Sequence, residues 1–314
     1  MPAAKSSLAR REQRLGWIMV LPAVVVVLVM VLFPFVWNVG LSGRQVRLID
    51  LQNLTIFTTD WSLRNFERVT GASTFFNVLR TTIVYSLAGT FLSIAMGLWA
   101  ALVMKDAFRG RTFVRGVILF PYIAPVIAVA SAWRQMLNPT FGITNEWQTA
   151  LGFGRIDYLF TESQTFDLGL FEVTVPIALT TVILFEGWRY FPFAYLFLLA
   201  RLQAIPEELQ EAATVDGATP TQKFRYVVWP QMRGVVAVLF LLRFIFTFNK
   251  FDDIFLLTGG AAGTQVVSTE VVQWLLGRAD VGAAAALSIV LAGLLVVMVV
   301  IYFKLFYEDA TAEG

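Results

Sequence analysis

The feature that most constrains this chain is a series of long segments that carry no charged residue. The first three cover residues 15–43, 81–104 and 116–133. A bilayer core is about 30 Å thick, so a helix needs roughly 20 mostly apolar residues to cross it. Each segment therefore predicts a membrane-spanning helix. Pro121 and Pro125 fall inside the third, where prolines are tolerated if neighbouring groups satisfy the carbonyls that they free.

Three further apolar segments complete the set. Residues 173–200 contain Glu186 and Arg189, residues 235 to about 254 contain Arg243, and residues 281–303 carry no charge. Hydrophobic residues make up 57% of the chain and charged residues 15%, whereas a soluble domain carries about 25% charged residues. We therefore predict an all-α, multi-pass protein of the cell membrane with six transmembrane helices.

The ends of the chain are predicted to be short polar segments. A basic N-terminus, residues 1–14, precedes a single transmembrane domain, residues 15–308, and residues 309–314 form a tail. A basic start followed by an apolar run also fits a signal peptide. The run is too long for the 7–15 apolar residues of a signal peptide, and no small-residue cleavage site follows. We therefore favour a retained membrane anchor.

The distribution of Lys and Arg predicts the orientation, because cytoplasmic loops hold the excess of positive charge. With the N-terminus inside, the inner segments hold thirteen such residues: Lys5, Arg10, Arg11, Arg14, Lys105, Arg109, Arg111, Arg115, Arg201, Lys223, Arg225, Arg233 and Lys304. The outer segments hold seven: Arg44, Arg47, Arg64, Arg68, Arg155, Lys250 and Arg278. Both termini and the loop between spans four and five are therefore expected in the cytoplasm.

The absence of histidine and cysteine narrows the possible chemistry. It removes disulfides, thiolate nucleophiles, His-based triads and the usual zinc ligands. The carboxylates are scattered over loops and build no recognisable acid–base site. We therefore predict no catalytic residue, no metal site and no enzymatic activity. The net charge of +2 gives no indication of a nucleic-acid partner, and none is predicted.

The cytoplasmic loop, residues 203–232, carries the signals of two short helices separated by a turn. Pro206 suits a first helical position, and Gly217 suits the left-handed residue that ends a helix. Thr219, with Pro220 and Gln222 after it, forms a capping box that starts a second helix. Pro230 is expected to interrupt that second helix and to bend the chain toward the fifth span.

Two interpretations of this loop are open from composition alone. Ala212 and Ala213 are small enough to let a helix enter a cleft on another protein, where Glu211 offers a carboxylate to an arginine or a backbone donor. An amphipathic helix on the inner membrane surface would carry the same features.

The spacing favours the docking helix. Glu211-Ala212-Ala213, three residues, Gly217, nine residues, Val227, one residue and Trp229-Pro230 closely resemble the EAA signature of ABC importer permeases, with Val for Ile and Trp for Leu. Four stretches are similar to the sugar-type subfamily: FPYIAPVIAVASAWRQMLNPTFG at 120–142, LARLQAIPEELQEAATVDGA at 199–218, FNKFDDIFLLTGG at 248–260 and DVGAAAALSIV at 280–290. Arg201 and the run LTGGAAG depart from the common pattern but do not alter the docking motif.

This resemblance implies a type I ABC importer permease fold and a set of partners. The partners are a second permease, expected to form a heterodimer with this chain, two copies of an ATP-binding subunit and an extracytoplasmic solute-binding protein. The chain has no Gly-x-x-x-x-Gly-Lys-Ser/Thr loop to hold phosphates. We expect it to bind no cofactor, with ATP and Mg²⁺ used by the ATPase. The implied ATPase-coupling residues are Glu211, Ala212, Ala213, Asp216, Gly217 and Pro230.

Ionisable residues at membrane depth usually face the bundle interior or a water-filled path. Spans four and five contain ionisable residues with aromatic rings nearby, which suggests a solute path. The family resemblance implies that solute contacts lie on these two spans. The candidates are Glu186, Arg189, Tyr190, Phe193, Arg243, Phe246 and Thr247. Glu186 and Arg189 could instead neutralise each other, with the rings as ordinary packing. Asp252 and Asp253 are interpreted as surface or gate contacts to a delivering protein.

The expected solute is a sugar or oligosaccharide. Arginines in the path leave an anionic solute such as glycerol 3-phosphate or a glycerophosphodiester open, although Glu186 weakens that alternative. A secondary transporter would often show two repeated halves, and none is evident. A membrane-embedded enzyme would need a catalytic site that the sequence does not contain.

Overall fold

A computed structural model describes residues 7–52, 60–167 and 172–311. Lys5 and the ends of the predicted segments 1–14 and 309–314 lie outside the described residues. The helices are α1 (Ser7–Val27), α2 (Phe33–Ser42), α3 (Arg64–Thr70), α4 (Phe75–Met104), α5 (Arg111–Ile123), α6 (Val126–Met136), α7 (Ile143–Ala150), α8 (Ile177–Gln203), α9 (Glu207–Val215), α10 (Pro220–Lys223), α11 (Trp229–Phe248), α12 (Asp252–Leu257), α13 (Val267–Val272) and α14 (Val281–Thr311). Five-residue π-helical turns at Leu28–Leu32, Phe224–Val228 and Gln273–Gly277 join some of them, and Leu48–Gln52 forms a 3₁₀ helix.

One short hairpin departs from the all-α prediction. Strands β1 (Gln164–Asp167) and β2 (Glu172–Val175) pair antiparallel. The hydroxyls of Thr165 and Thr174 face each other at 2.9 Å. The sequence predicts that span four begins at residue 173, but the Glu-Val-Thr-Val segment pairs as a strand, which suits its β-branched residues. The helix starts only after Pro176, at α8.

The described residues divide into two compact units. The first comprises residues up to 72 together with 271–290. Its apolar cluster contains Leu41, Val46, Val281 and Ala285. The Asn65 side-chain amide donates to the Arg44 carbonyl at 2.7 Å and fixes the turn after α2.

The second unit comprises residues 73–270 and the chain from 291 onward. Its centre is the packing of α8 against α4 and of α11 against both. Gly97 permits close approach of α4 and α8, since a Cβ atom there would lie 2.6 Å from the Ala194 Cβ and 2.8 Å from a backbone nitrogen. Small residues at helix interfaces are the usual device for close packing in membranes. The prediction of a single domain over residues 15–308 stays a prediction.

The predicted spans are recovered in large part. Among the described residues, five helices are long and apolar enough to cross a bilayer: residues 12–42, 75–104, 177–203, 220–248 and 281–305. Span five ends earlier than predicted, because Asn249 closes α11. Asp252 and Asp253 then begin the separate helix α12, where acidic side chains favour the first turn.

The third span is bent rather than continuous. Helices α5 and α6 meet at 95°, and Ala124 between them is extended, with ψ 142°. A residue before proline avoids the helical region, so Pro125 breaks the helix. The described residues therefore provide five to six spans, depending on whether this bent pair crosses the bilayer as one.

Candidate functional site

A cavity of about 500 Å³ opens on the surface of the second unit. We call it the aromatic cavity. Its lining combines five aromatic rings with four polar or charged side chains: Tyr122, Tyr190, Phe193, Phe246, Phe251, Arg243, Asn249, Lys250 and Asp252. Flat rings beside hydrogen-bonding groups are what a site for a polar, ring-shaped solute requires.

Glu186 lies behind the wall of this cavity and contacts the lining residue Arg243. Its side chain is fully buried and forms an ion pair with Arg243. The Tyr85 hydroxyl donates to Glu186 Oε2 at 3.0 Å, and the Thr247 hydroxyl donates to Oε1 at 2.9 Å. A buried carboxylate is tolerated when a cation and hydrogen-bond donors surround it. Both carboxylate oxygens are thus satisfied, and Arg243 is held at the cavity wall.

Gly89 makes room for this arrangement. It lies on α4 opposite Glu186, and a Cβ atom at this position would come within 2.8 Å of Glu186 Cγ. Only glycine lets α4 approach so closely at this level, because it has no side chain to displace the carboxylate. The ion pair therefore depends on a backbone position as well as on its charged partners.

Arg189 forms hydrogen bonds to the bend of the third span and not to Glu186. Its guanidinium donates to the Pro121 carbonyl at 3.2 Å and to the Ala124 carbonyl at 3.1 Å. The Pro121 carbonyl is the acceptor that Pro125, having no N–H, leaves unpaired. The mutual neutralisation of Glu186 and Arg189 considered above is therefore wrong, since each side chain has other partners.

Three cations surround the ring of Tyr190. Arg243 Cζ lies 4.5 Å from the ring centroid and Lys250 Nζ lies 4.3 Å from it, while Arg189 Cζ lies at 5.5 Å. Lys250 also donates to the Tyr190 hydroxyl. Cations over an aromatic face are attracted by its negative potential. The ring therefore places two lining cations, Arg243 and Lys250, on one side of the cavity.

Two adjacent aspartates occupy different environments. Asp252 is 45% exposed, and its Oδ1 lies 3.3 Å from Lys250 Nζ. Asp253 is fully buried, with Oδ2 3.7 Å from the same nitrogen, so its interpretation as a surface contact is wrong. Asp253 accepts no hydrogen bond from the described residues. Burial, and then the nearby charge of Glu186, raise the pKa of Asp253 to about 8.

The structure divides the predicted path residues into two groups. Tyr190, Phe193, Arg243 and Phe246 line the cavity, whereas Glu186, Arg189 and Thr247 lie behind or beside its wall. The sequence interpretation missed five lining residues: Tyr122, Asn249, Lys250, Phe251 and Asp252. The stretch FNKFDD carried the signal for four of them, because it places polar side chains between aromatic rings.

The coupling segment, residues 203–232, begins with the exposed helix α9. Pro206 is the residue before the helix rather than its first residue, a correction of one position. Gly217 ends the helix with φ +79° as predicted. The Ala218 N–H donates to the Ala213 carbonyl at 2.9 Å, and the Gly217 N–H to the Thr214 carbonyl at 3.0 Å. These two bonds form the Schellman motif that a left-handed glycine permits.

The second helix of the segment begins with the predicted capping box. The Thr219 N–H donates to Gln222 Oε1 at 2.8 Å, and the Gln222 N–H donates to the Thr219 hydroxyl at 3.4 Å. The prediction for Pro230 is wrong, because the helix continues from residue 220 to 248. In the preceding π-turn the Trp229 N–H donates to the Phe224 carbonyl, and this wider turn accommodates the proline ring.

The predicted coupling residues form an exposed surface. Helix α9 has no buried residue, and Val215 is 88% exposed. Glu211 lines a cleft of about 500 Å³ together with Lys105, Gln210, Thr214 and Lys223. Among the described residues Glu211 has no ion-pair partner. The segment is held at its base by Arg201, whose Nε donates to the Gln231 carbonyl at 3.0 Å.

Comparison with known proteins decides the family. The model of the binding-protein-dependent transport system inner membrane component matches residues 89–306, more than half of the chain. The chain belongs to this family. The trehalose/maltose transport system permease protein MalF of Thermococcus litoralis is 31% identical over 95% of this chain and 96% of its own length.

Two solved structures have the same fold as this family member. A bacterial ABC transporter involved in the import of the acidic polysaccharide alginate matches with a TM-score of 0.78 at 21% identity, covering 96% of this chain and 98% of the other. A bacterial alginate ABC transporter in complex with a pentasaccharide-bound periplasmic protein matches with a TM-score of 0.75, also at 21% identity, covering 94% of each chain. At this identity the likeness concerns the fold alone.

Family membership confirms several predictions. The chain is an inner-membrane transport component with several membrane-spanning helices, and it is a transport subunit rather than an enzyme. The predicted ABC importer permease fold is also confirmed. The orientation of the termini, the roles of the site residues and the binding of no cofactor stay predictions.

Proposed function

We propose that this permease passes a sugar or oligosaccharide across the membrane as part of an ATP-driven importer. The observation that carries the proposal is the aromatic cavity, whose five rings and four polar side chains suit the apolar faces and hydroxyl edges of a sugar. The MalF relative is a trehalose/maltose permease, which supports the same solute class. An anionic phosphodiester is not favoured, since Asp252 and Glu186 compensate the cations at the wall.

The coupling segment supplies the link to ATP hydrolysis in this proposal. Helix α9 presents Glu211, Ala212 and Ala213, with Asp216 directly after the helix, on a surface with no buried residue. The Schellman turn at Gly217 fixes the direction in which the chain leaves it. Such a surface suits a groove on a cytoplasmic ATPase, which would hold ATP and Mg²⁺. The segment, and with it both termini, would then face the cytoplasm.

The remaining partners follow from the open cavity. The cavity is lined by one permease and opens at its surface, so a second permease is needed to enclose the path. Two ATPase copies and an extracytoplasmic solute-binding protein complete the proposed importer. The family description includes dependence on a binding protein, and one of the alginate transporters with this fold is in complex with a periplasmic protein.

The test is ATP hydrolysis by the assembled importer in the presence of solute-loaded binding protein. Disaccharides, polyols and phosphodiesters form the panel, and we expect stimulation by at least one sugar. Stimulation by phosphodiesters alone would overturn the solute class. Transport by the purified permease without an ATPase would overturn the proposed mechanism.

Charge reversal on α9 tests the coupling contact. Glu211→Lys should reduce ATP-driven transport by about tenfold or more, because a charged contact across an interface costs several kcal/mol to break. Membrane insertion should not change, since Glu211 is exposed. Glu208→Lys is the matched control: it makes the same reversal on the same helix, away from the cleft that Glu211 lines. Equal loss in both variants would contradict a specific role for Glu211.

A further inference from the structure

The charged side chains of the aromatic cavity are paired with one another. The lining holds two cations, Arg243 and Lys250, and one carboxylate, Asp252. Arg243 is compensated from behind by the fully buried Glu186. Lys250 has Asp252 Oδ1 at 3.3 Å. With these two pairs intact, the wall offers hydrogen-bonding groups and no net charge.

Asp252, rather than its neighbour, is the adjustable partner of Lys250. Asp253 lies farther from Lys250 Nζ, at 3.7 Å, and is fully buried. Its Oδ1 also lies 3.9 Å from Arg189 Nε, so Asp253 is shared with a second cation behind the wall. Asp252 is 45% exposed, so its carboxylate faces the cavity and can be changed without opening the core.

Removal of the Asp252 charge would leave an ammonium group exposed to the solute. Lys250 Nζ lies against the Tyr190 ring, and the Lys250 side chain is 17% exposed and lines the cavity, within reach of a ligand there. A cation that has lost its nearest carboxylate attracts a carboxylate or phosphate more strongly. The same cation beside Asp252 offers such a group no net attraction.

We propose that Asp252 is a specificity-determining residue, whose carboxylate neutralises Lys250 so that the cavity accepts uncharged sugars and discriminates against anionic ones. This inference rests on the proposed function, since it concerns selection among sugars at the same cavity. It assigns the selection to one exposed side chain rather than to the buried Glu186–Arg243 pair. Solute charge would thereby be tested at the permease, after delivery by the binding protein.

The experiment measures direct solute binding to the assembled importer in nanodiscs without its binding protein. Saturation-transfer NMR compares maltose with its uronic acid analogue, in which one hydroxymethyl group is replaced by a carboxylate. The wild type should prefer maltose. Asp252→Asn should raise the affinity for the uronate relative to maltose by about two- to fivefold, the range of a partly exposed charge pair. The gain should shrink at high salt.

Two further variants make the result specific. Lys250→Gln should shift the ratio in the opposite direction, toward maltose. Asp60→Asn, which changes the net charge equally but is absent from the cavity lining, should leave it unchanged. A wild type that binds the uronate as well as maltose would overturn the proposal. So would an Asp252→Asn ratio equal to that of the wild type or of Asp60→Asn.

Binding of neither disaccharide would also overturn the assignment of selectivity to this cavity. The importer's ATP hydrolysis then separates the two proposals. Stimulation by a sugar-loaded binding protein would leave the proposed function standing and remove only the role of Asp252. Absence of stimulation by every sugar would remove both.

Discussion

The coupling segment and the charged network behind the aromatic cavity are stabilised over different distances along the chain. The bonds that shape α9 and its turn join residues three to five positions apart, such as Ala218 to Ala213 and Thr219 to Gln222. Glu186 instead finds its partners 101, 57 and 61 positions away. A local defect should therefore remain local in the segment, whereas a defect at Glu186 should affect the packing of α4, α8 and α11 together.

The largest effect is expected from Glu186→Gln. The substitution leaves the Arg243 guanidinium buried without a compensating charge, and breaking a buried pair in this way costs about 3–5 kcal/mol. The free energy of unfolding of the purified protein in detergent, followed by tryptophan fluorescence, measures the loss. A loss below about 1 kcal/mol, the range of exposed pairs, would contradict the importance of the buried network.

A double variant separates the ion pair from the packing. Glu186→Gln combined with Arg243→Gln removes both charges, so it should recover most of the stability lost in the single variant. It should not recover sugar binding, because Arg243 lines the cavity. If the double variant is as unstable as the sum of the two single variants, the two side chains are not coupled.

The same comparison explains how much of the fold could be predicted. Spans appear in sequence as uncharged apolar runs, and Gly217 and the Thr219–Gln222 box mark helix ends by local chemistry. Pro125 was ambiguous, because a proline in a membrane helix bends or breaks the helix depending on which donor hydrogen-bonds to the freed carbonyl. That donor is Arg189, 68 positions from Pro121 along the chain. Nothing near Pro125 indicates it.

The site was predictable by residue type but not by pairing. Tyr190, Phe193, Arg243 and Phe246 were predicted because ionisable residues in a span usually face the bundle interior, nearby rings suit a sugar, and the family resemblance implies solute contacts on these two spans. Arg243 lacked an acidic neighbour one helical turn away, so its partnership with Glu186 was not visible. Lys250 and Asp252 were missed as lining residues because α11 ends at Phe248, which turns the next residues toward the cavity.

An intermediate effect is expected from Gly89→Ala. The added methyl group would lie within 2.8 Å of Glu186 Cγ, so α4 must shift or the carboxylate must move. Overpacking of this kind typically costs about 1–3 kcal/mol. The unfolding assay used for Glu186→Gln measures the change. The matched control is Gly234→Ala on α11, where no atom lies within 4 Å of the new Cβ.

The control has its own expected sign. Alanine is favoured over glycine in a helix by about 1 kcal/mol or less, so Gly234→Ala should leave stability unchanged or slightly raised. If both substitutions destabilise the protein equally, the contact between Gly89 and Glu186 does not explain the first result. If neither substitution destabilises the protein, α4 and α8 are not packed as closely at Gly89 as the 2.8 Å approach indicates.

The smallest effect is expected from Thr219→Ala in the coupling segment. The Thr219 hydroxyl accepts from the Gln222 N–H at 3.4 Å and donates to Gln222 Oε1 at 2.9 Å. Because the capping bond from the Gln222 N–H is long, the cost should be near the low end for helix caps, about 0.5 kcal/mol. Hydrogen exchange followed by mass spectrometry should show about twofold faster exchange in α10. Thr221→Ala, which removes a nearby exposed hydroxyl that makes no capping bond, should not change it. Faster exchange in α8 as well would show that this end of the molecule is coupled to the core, because a purely local cap could not transmit the change.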